Sequence, residues 1–190
     1  MKYAYIKREV KVPSNVTLKL DDKKVAVKGP KGEITRDFSH AKNVEMSMQD
    51  DTIVIEAKFP RKEQMALVGT LEGHIKNMIL GVTQGFKYKM VIGYSHFPVT
   101  VKVNPDNNVE IQNFQGERGP RKVETSPNVK ITSTKENVII EGIDKEEVSM
   151  VAARLQQASR VHRKDHRIFQ DGLFVFEKWA GDNLIWHIKM

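Results

Sequence analysis

Five cations, Arg154, Arg160, Arg163, Lys164 and Arg167, gather in one short stretch that holds a single acid, Asp165, while His162 and His166 add further donors. Guanidinium and ammonium groups so spaced supply charge-assisted hydrogen bonds to several phosphates at once. Cations at a helix C-terminus also complement its dipole, at about 0.3–1 kcal/mol each. That accounts for one or two of them, not five. Two glycine-bearing turns add to the basic surface: Lys28-Gly29-Pro30-Lys31-Gly32, and Gly116 to Lys122 with Arg118, Arg121 and Lys122. Glycine lets backbone approach a phosphate closely and the cation supplies the counter-charge, although an ordinary hairpin turn explains either loop alone.

Other chemistries find little support. His162 and His166 are spaced i, i+4, but no third ligand is near and their neighbours are cationic, so no metal is expected. No carboxylate pair stands in an apolar setting, and no nucleophile motif or phosphate-cradling P-loop is present, so the chain reads as a non-enzyme without cofactor. The absence of cysteine removes disulfides, thiolate catalysis and zinc fingers. Aromatic rings are densest from Phe169 to Trp186, where Trp179 beside Lys178 is the ring best placed to stack on a base. Phe174 and Phe176 are two apart, which predicts one ring in the core and the other covering it.

A net charge of +7 and a pI near 9.5 favour a polyanionic partner, since each neutralised phosphate releases counterions. A hydrophobic content of 39% suits a globular chain, and no apolar run approaches the ~20 residues of a membrane span. The opening MKYAYIKREVKVP lacks the pattern of a secretory signal.

The elements that must position these groups occur twice. Val16 to Leu20 returns as Val99 to Val103, Val25 to Glu33 as Val109 to Glu117, and Ile53 to Ala57 as Val138 to Gly142. The blocks stay in order while the offset grows slowly, as a tandem duplication with small loop insertions requires. Each copy shows short alternating segments, predicting antiparallel hairpins, followed by one amphipathic helix. In the first copy, Met65, Val68, Leu71, Ile75, Met78, Ile79 and Val82 form the apolar stripe, with Gly81 and Gly85 expected to end the helix. In the second, Asp144 is the expected N-cap with Glu147 three residues on, and Val148, Val151, Ala152 and Leu155 face inward. The predicted fold is α+β, a tandem duplication of a small antiparallel sheet covered by a helix. Residues 1–86 form the first copy, 87–179 the second and main RNA-binding copy, and 180–190 a C-terminal tail.

Gln157 to Lys178 resembles the C-terminal signature of the large-subunit ribosomal protein family numbered six in bacteria and nine in eukaryotes, in its eukaryotic and archaeal form. The matching positions are Gln157, Val161, Lys164, Arg167, Phe169, Asp171, Gly172, Leu173, Phe174, Val175 and Lys178, with Phe174 where that signature has tyrosine. Val27 to His40, Asn77 to Met90, Ser95 to Val99 and Val109 to Glu117 also match. The resemblance implies a structural constituent of the large subunit whose second copy anchors on ribosomal RNA near the sarcin–ricin loop, at the edge where translation factors dock. It implies neighbouring ribosomal proteins as partners, residence on the cytoplasmic ribosome and assembly in the nucleolus. Carried over, Arg160, Arg163, Lys164, Arg167 and Lys178 would bind phosphate, and Asp171-Gly172 would form a tight turn bringing backbone to RNA. An extra-ribosomal adaptor binding RNA or protein is the rival reading.

Overall fold

A computed structural model describes residues 4–188, so Met1 to Tyr3 at the start of the expected non-signal segment, and Lys189 and Met190 of the expected tail, lie outside it. The chain divides into two compact units, Met1–Gln84 and Gly85–Met190.

The first unit runs β1 (Tyr5–Lys11), β2 (Thr17–Asp21), β3 (Lys24–Gly29), β4 (Gly32–Asp37), β5 (Glu45–Gln49), β6 (Thr52–Lys58) and α1 (Lys62–Thr83). All pairings are antiparallel, in two sheets of order β2-β3-β4 and β1-β6-β5. The hairpin turns β2–β3 and β5–β6 place Asp22 and Asp50 at positive φ, which a short polar side chain tolerates. Val25 and Val27 alternate inward along β3, and Ile53, Val54 and Ile55 are buried in the central strand β6. Against them α1 lays the expected stripe, with Val68, Leu71, Ile75 and Val82 at most 1% exposed. Its end differs from expectation. Gly81 is a buried residue inside the helix, which continues to Thr83; the Gln84 N–H reaches the Leu80 carbonyl at 2.8 Å, and Gly85 at φ +74° turns the chain out.

The second unit repeats this order with β7 (Phe86–Gly93), β8 (Thr100–Val103), β9 (Val109–Gln112), a short 3₁₀ turn at Phe114–Gly116, β10 (Arg121–Val123), β11 (Lys130–Ser133), β12 (Asn137–Gly142) and α2 (Lys145–Ala158). It then adds β13 (Gly172–Ala180) and β14 (Asn183–His187). Its sheets are β10-β9-β8 and β11-β12-β7-β13-β14, so β11-β12-β7 reproduces β5-β6-β1 and the new hairpin extends it. The fold is the duplicated α+β arrangement read from the sequence. Asp144 caps α2 as expected, its carboxylate accepting from the Glu146 N–H at 2.8 Å.

β7 fills the centre of the larger sheet by strict alternation, burying Phe86, Tyr88, Met90 and Ile92 against Leu155, Val151 and Val148 of α2. In β13 a bulge at Phe176 shifts the register, so Leu173 and Ala180 are buried while Phe174 stays 42% exposed and Phe176 half-buried. Neither phenylalanine is a core residue, contrary to the expectation from their spacing. The stretch expected as a tail pairs instead: after a turn through Gly181, β14 lines up on β13 from Ala180 opposite Asn183 to Glu177 opposite His187. No helix among the described residues is long and apolar enough to cross a membrane.

Candidate nucleic-acid interface

The connection from α2 to β13, residues 160–171, carries four of the predicted phosphate ligands, Arg160, Arg163, Lys164 and Arg167, and is pinned at both ends. Ser159, 2% exposed, donates to the Leu155 carbonyl at 3.0 Å and accepts from the Leu173 N–H at 2.8 Å. Asp171, 4% exposed, accepts from the Ser95 N–H at 2.7 Å and from Gln115 Nε2 at 3.5 Å. Between these pins Val161 is buried in the core and Phe169 packs against it. Asp165 organises the tip: its carbonyl accepts from the Ile168 and Phe169 N–H groups, and its carboxylate from the Arg167 N–H at 2.9 Å. Arg163 occupies the left-handed region at φ +57°, a conformation non-glycine residues adopt rarely.

This frame holds Arg160, Arg163, Lys164 and Arg167 exposed. The Arg167 guanidinium pairs with Asp165 through Nε at 3.2 Å and Nη2 at 3.0 Å, which holds the Asp165 carboxyl below its ordinary range. With the Arg167 side chain 90% exposed, water screens that pair and an incoming phosphate can displace it. The Lys164 ammonium lies 4.6 Å from the centre of the Phe169 ring, and that ring meets His96 edge-on at 5.3 Å. Arg118 is exposed in the loop that also carries Glu117.

Arg121 has another job. Its Nη1 donates to the carbonyls of Ala158 at 2.6 Å and Arg160 at 3.3 Å, the open end of α2. Its Nε reaches Glu117 Oε2 at 2.8 Å and its Nη2 reaches Oε1 at 2.5 Å, while the guanidinium carbon sits 4.2 Å above the buried Phe114 ring. All three nitrogens and one face of this group are engaged, so Arg121 locks the 114–121 loop to the root of the basic segment. Glu117 is held below the ordinary glutamate range mainly by the hydrogen bonds from Arg121.

The remaining predicted residues lie apart from the segment. Lys122 is exposed on β10 opposite Glu110, and Arg154 is exposed on α2 with its Nη1 on the Glu124 carbonyl at 3.2 Å. Lys178 lies near the other end of β13, about 20 Å from Gly172 at strand rise, between the Tyr88 and Trp186 rings at 5.5 and 4.8 Å. Gly172 is buried as the first residue of β13, opposite Gly93, so the tight turn expected at Asp171-Gly172 is a strand entry and its backbone faces protein. Trp179 is likewise engaged: its indole N–H donates to Glu177 at 2.7 Å, and Lys89 lies 5.1 Å from the ring while bridging to Glu177.

In the first unit the Lys28-to-Gly32 turn joins β3 to β4, with Gly29 paired to Gly32. The Lys31 N–H donates to the Val82 carbonyl at 3.0 Å and its ammonium donates to the Gln84 carbonyl. A Cβ on Gly29 would stand 2.9 Å from the Val82 carbonyl oxygen, so only glycine lets this turn seat on the helix end. Lys31 therefore caps α1, while Lys28 is an exposed side chain on β3.

Sequence reasoning did not find Ser159, nor the groove beneath the basic segment. That groove, about 730 Å³, is lined among others by Gln157, Arg160, His166, Phe169, Gln170 and Phe174. Among the described residues no group of three or more histidines and carboxylates is gathered for a metal.

A tandem pair of small α+β units, one carrying a pinned loop of exposed cations, defines a class of basic scaffold proteins. The family model for ribosomal protein L6 matches residues 12–85 and 97–172, one match per unit. A protein of Desulfurococcus amylolyticus is 45% identical over 92% of this chain and 95% of its own length, and one of Aeropyrum pernix is 46% identical over 93% and 97%. A third, from Methanobrevibacter smithii, is 43% identical over 92% and 97%. All three are named large ribosomal subunit protein uL6. The chain belongs to the ribosomal protein L6 family, a family of structural proteins rather than enzymes.

Proposed function

We propose that this chain is a structural constituent of the large ribosomal subunit, and that its second unit grips folded ribosomal RNA through Arg118, Arg160, Arg163, Lys164 and Arg167. The observation that carries this reading is the pinned 160–171 segment: a backbone fixed at both ends loses little freedom when its cations meet a fixed ribose-phosphate framework. In this reading the target is the RNA near the sarcin–ricin loop, beside translation-factor docking, on the cytoplasmic ribosome; nucleolar assembly belongs to it for a nucleated source. Lys28, Lys122, Arg154 and Lys178 are peripheral to the grip. Arg121 and Gly172 serve it by holding the scaffold of the second unit, whereas Lys31, Gly29 and Gly32 hold that of the first.

The test is a salt titration of binding to a ribosomal RNA fragment that carries the sarcin–ricin loop. Replacing Arg163, Lys164 and Arg167 together by alanine should weaken binding and reduce the slope of log K against log salt by about 0.7–0.9 for every phosphate that is no longer neutralised. Unchanged affinity and slope would remove these residues from the interface. One observation favours a protein partner in addition: edge strand β14 exposes Leu184, Ile185 and Trp186, and Ile188 beyond it, a surface suited to a neighbouring ribosomal protein or, in the rival reading, to an extra-ribosomal adaptor's partner. Sedimentation with a protein complex after ribonuclease treatment, and absence from washed large subunits, would select the adaptor.

A further inference from the structure

We infer that the groove under the basic segment is a pocket for one unpaired nucleobase, with the Phe174 ring as its stacking platform. This rests on the RNA-binding reading above and gives it a single point of base contact. Phe174 lies over bare backbone: a Cβ built on Gly172 would come 2.7 Å from its Cζ, and one on Gly93 3.6 Å from its Cε2. Two glycines facing each other across β7 and β13 thus leave the room that the outer edge of the ring occupies. The ring is still 42% exposed and lines the groove, so its surface away from the glycines is open. Leaving an aromatic face in that position costs hydrophobic burial that a stacked base restores.

The rest of the groove suits the same occupant. At about 730 Å³ it falls in the range of small-molecule sites and holds one nucleotide. Gln156, Gln157 and Gln170 line it, and an amide presents a donor and an acceptor side by side, as the edge of a base requires. Arg160 and His166 stand in its lining, on the segment that also bears Arg163, Lys164 and Arg167. Of the acids nearby, Asp165 is paired with Arg167, Glu117 with Arg121, and the Asp171 oxygens take hydrogen bonds from Ser95 and Gln115. Cationic surroundings around an aromatic floor fit a nucleotide, whose phosphate meets the rim while its base enters, better than an apolar peptide.

The experiment follows the amide signals of the full chain by NMR while adenosine monophosphate, uridine monophosphate or inorganic phosphate is added. The nucleotides should move Gly93, Gly172 and Gln157, whereas phosphate should move only the 160–167 segment. F174A should weaken nucleotide binding about tenfold, the loss expected for one stacking ring. F174L, which still covers the glycines, should do the same, and F174Y should retain binding. Identical shifts from nucleotide and phosphate, or full binding by a folded F174L protein, would overturn the pocket. An RNA fragment that loses affinity with the Arg163, Lys164 and Arg167 changes but not with F174L would leave phosphate gripping intact and refute the base site alone.

Discussion

The two copies solve one mechanical problem in parallel and then part ways. In each, a cation in or just after the connection between two paired strands reaches the open carbonyls at the end of the helix: Lys31 on Gln84 after α1, and Arg121, the first residue of β10, on Ala158 and Arg160 after α2. In the first copy the chain leaves the helix through Gly85 and enters β7 at once. In the second it leaves through Ser159 into the long basic segment before returning as β13. Duplication therefore supplied a scaffold twice, and the second helix end was elaborated into a surface. The stronger clamp belongs to the elaborated end, where Arg121 holds Glu117, two carbonyls and an aromatic face.

Three changes would break or sharpen that contrast. Ser159→Ala should act most strongly, because it strands the buried Leu173 N–H that the hydroxyl serves; a loss of about 2 kcal/mol is expected in urea unfolding. A loss below a few tenths would show that the basic segment needs no pin there. The matched pair Arg121→Met and Lys31→Met comes next. The first should cost about 1.5 kcal/mol, since its side chain is only 24% exposed and makes several charged hydrogen bonds, and the second about 0.5 kcal/mol as an exposed helix cap. Equal losses would mean the two clamps are equivalent after all. Smallest is a pH effect. The folded state lowers the Glu117 carboxyl through Arg121, so its contribution is present at and above the ordinary glutamate range and disappears as pH falls below it. Carbon-detected titration should place Glu117 below exposed glutamates, and Arg121→Met should return it to their range.

The periodic parts of this molecule were open to reading from the chain. Alternating valines and isoleucines in β3 and β12, the apolar run of β6, the α1 stripe, the Asp144 cap and the order of the two copies all depend on neighbours close in sequence. So did the concentration of charge from Arg160 to Arg167. What stayed hidden depended on partners far along the chain. Arg121 looks like any loop cation until Ala158 is brought beside it, and Lys31 until Gln84 is. The bulge at Phe176 resets the inside–outside phase of β13 and turns Trp179 outward with Phe174, but Glu177 and Lys89 occupy the indole and leave Phe174 the more open ring. Gly172, read as a turn, is fixed as strand by Gly93, a residue from the opposite end of its unit.

A chain with two versions of one plan risks exchanging equivalent strands during folding. The strand most exposed to that error is β7, which lies between β12 and β13, whereas its counterpart β1 lies at a sheet edge. Their side chains forbid the trade. β7 offers an inward Phe86, Tyr88, Met90 and Ile92, while β1 buries only Val10 and carries Lys7, Arg8, Glu9 and Lys11. Placed in the wrong sheet, β1 would push charge into a hydrocarbon interior and leave β12 without its match. Divergence of these two segments thus works as an address, sending each copy's strand home.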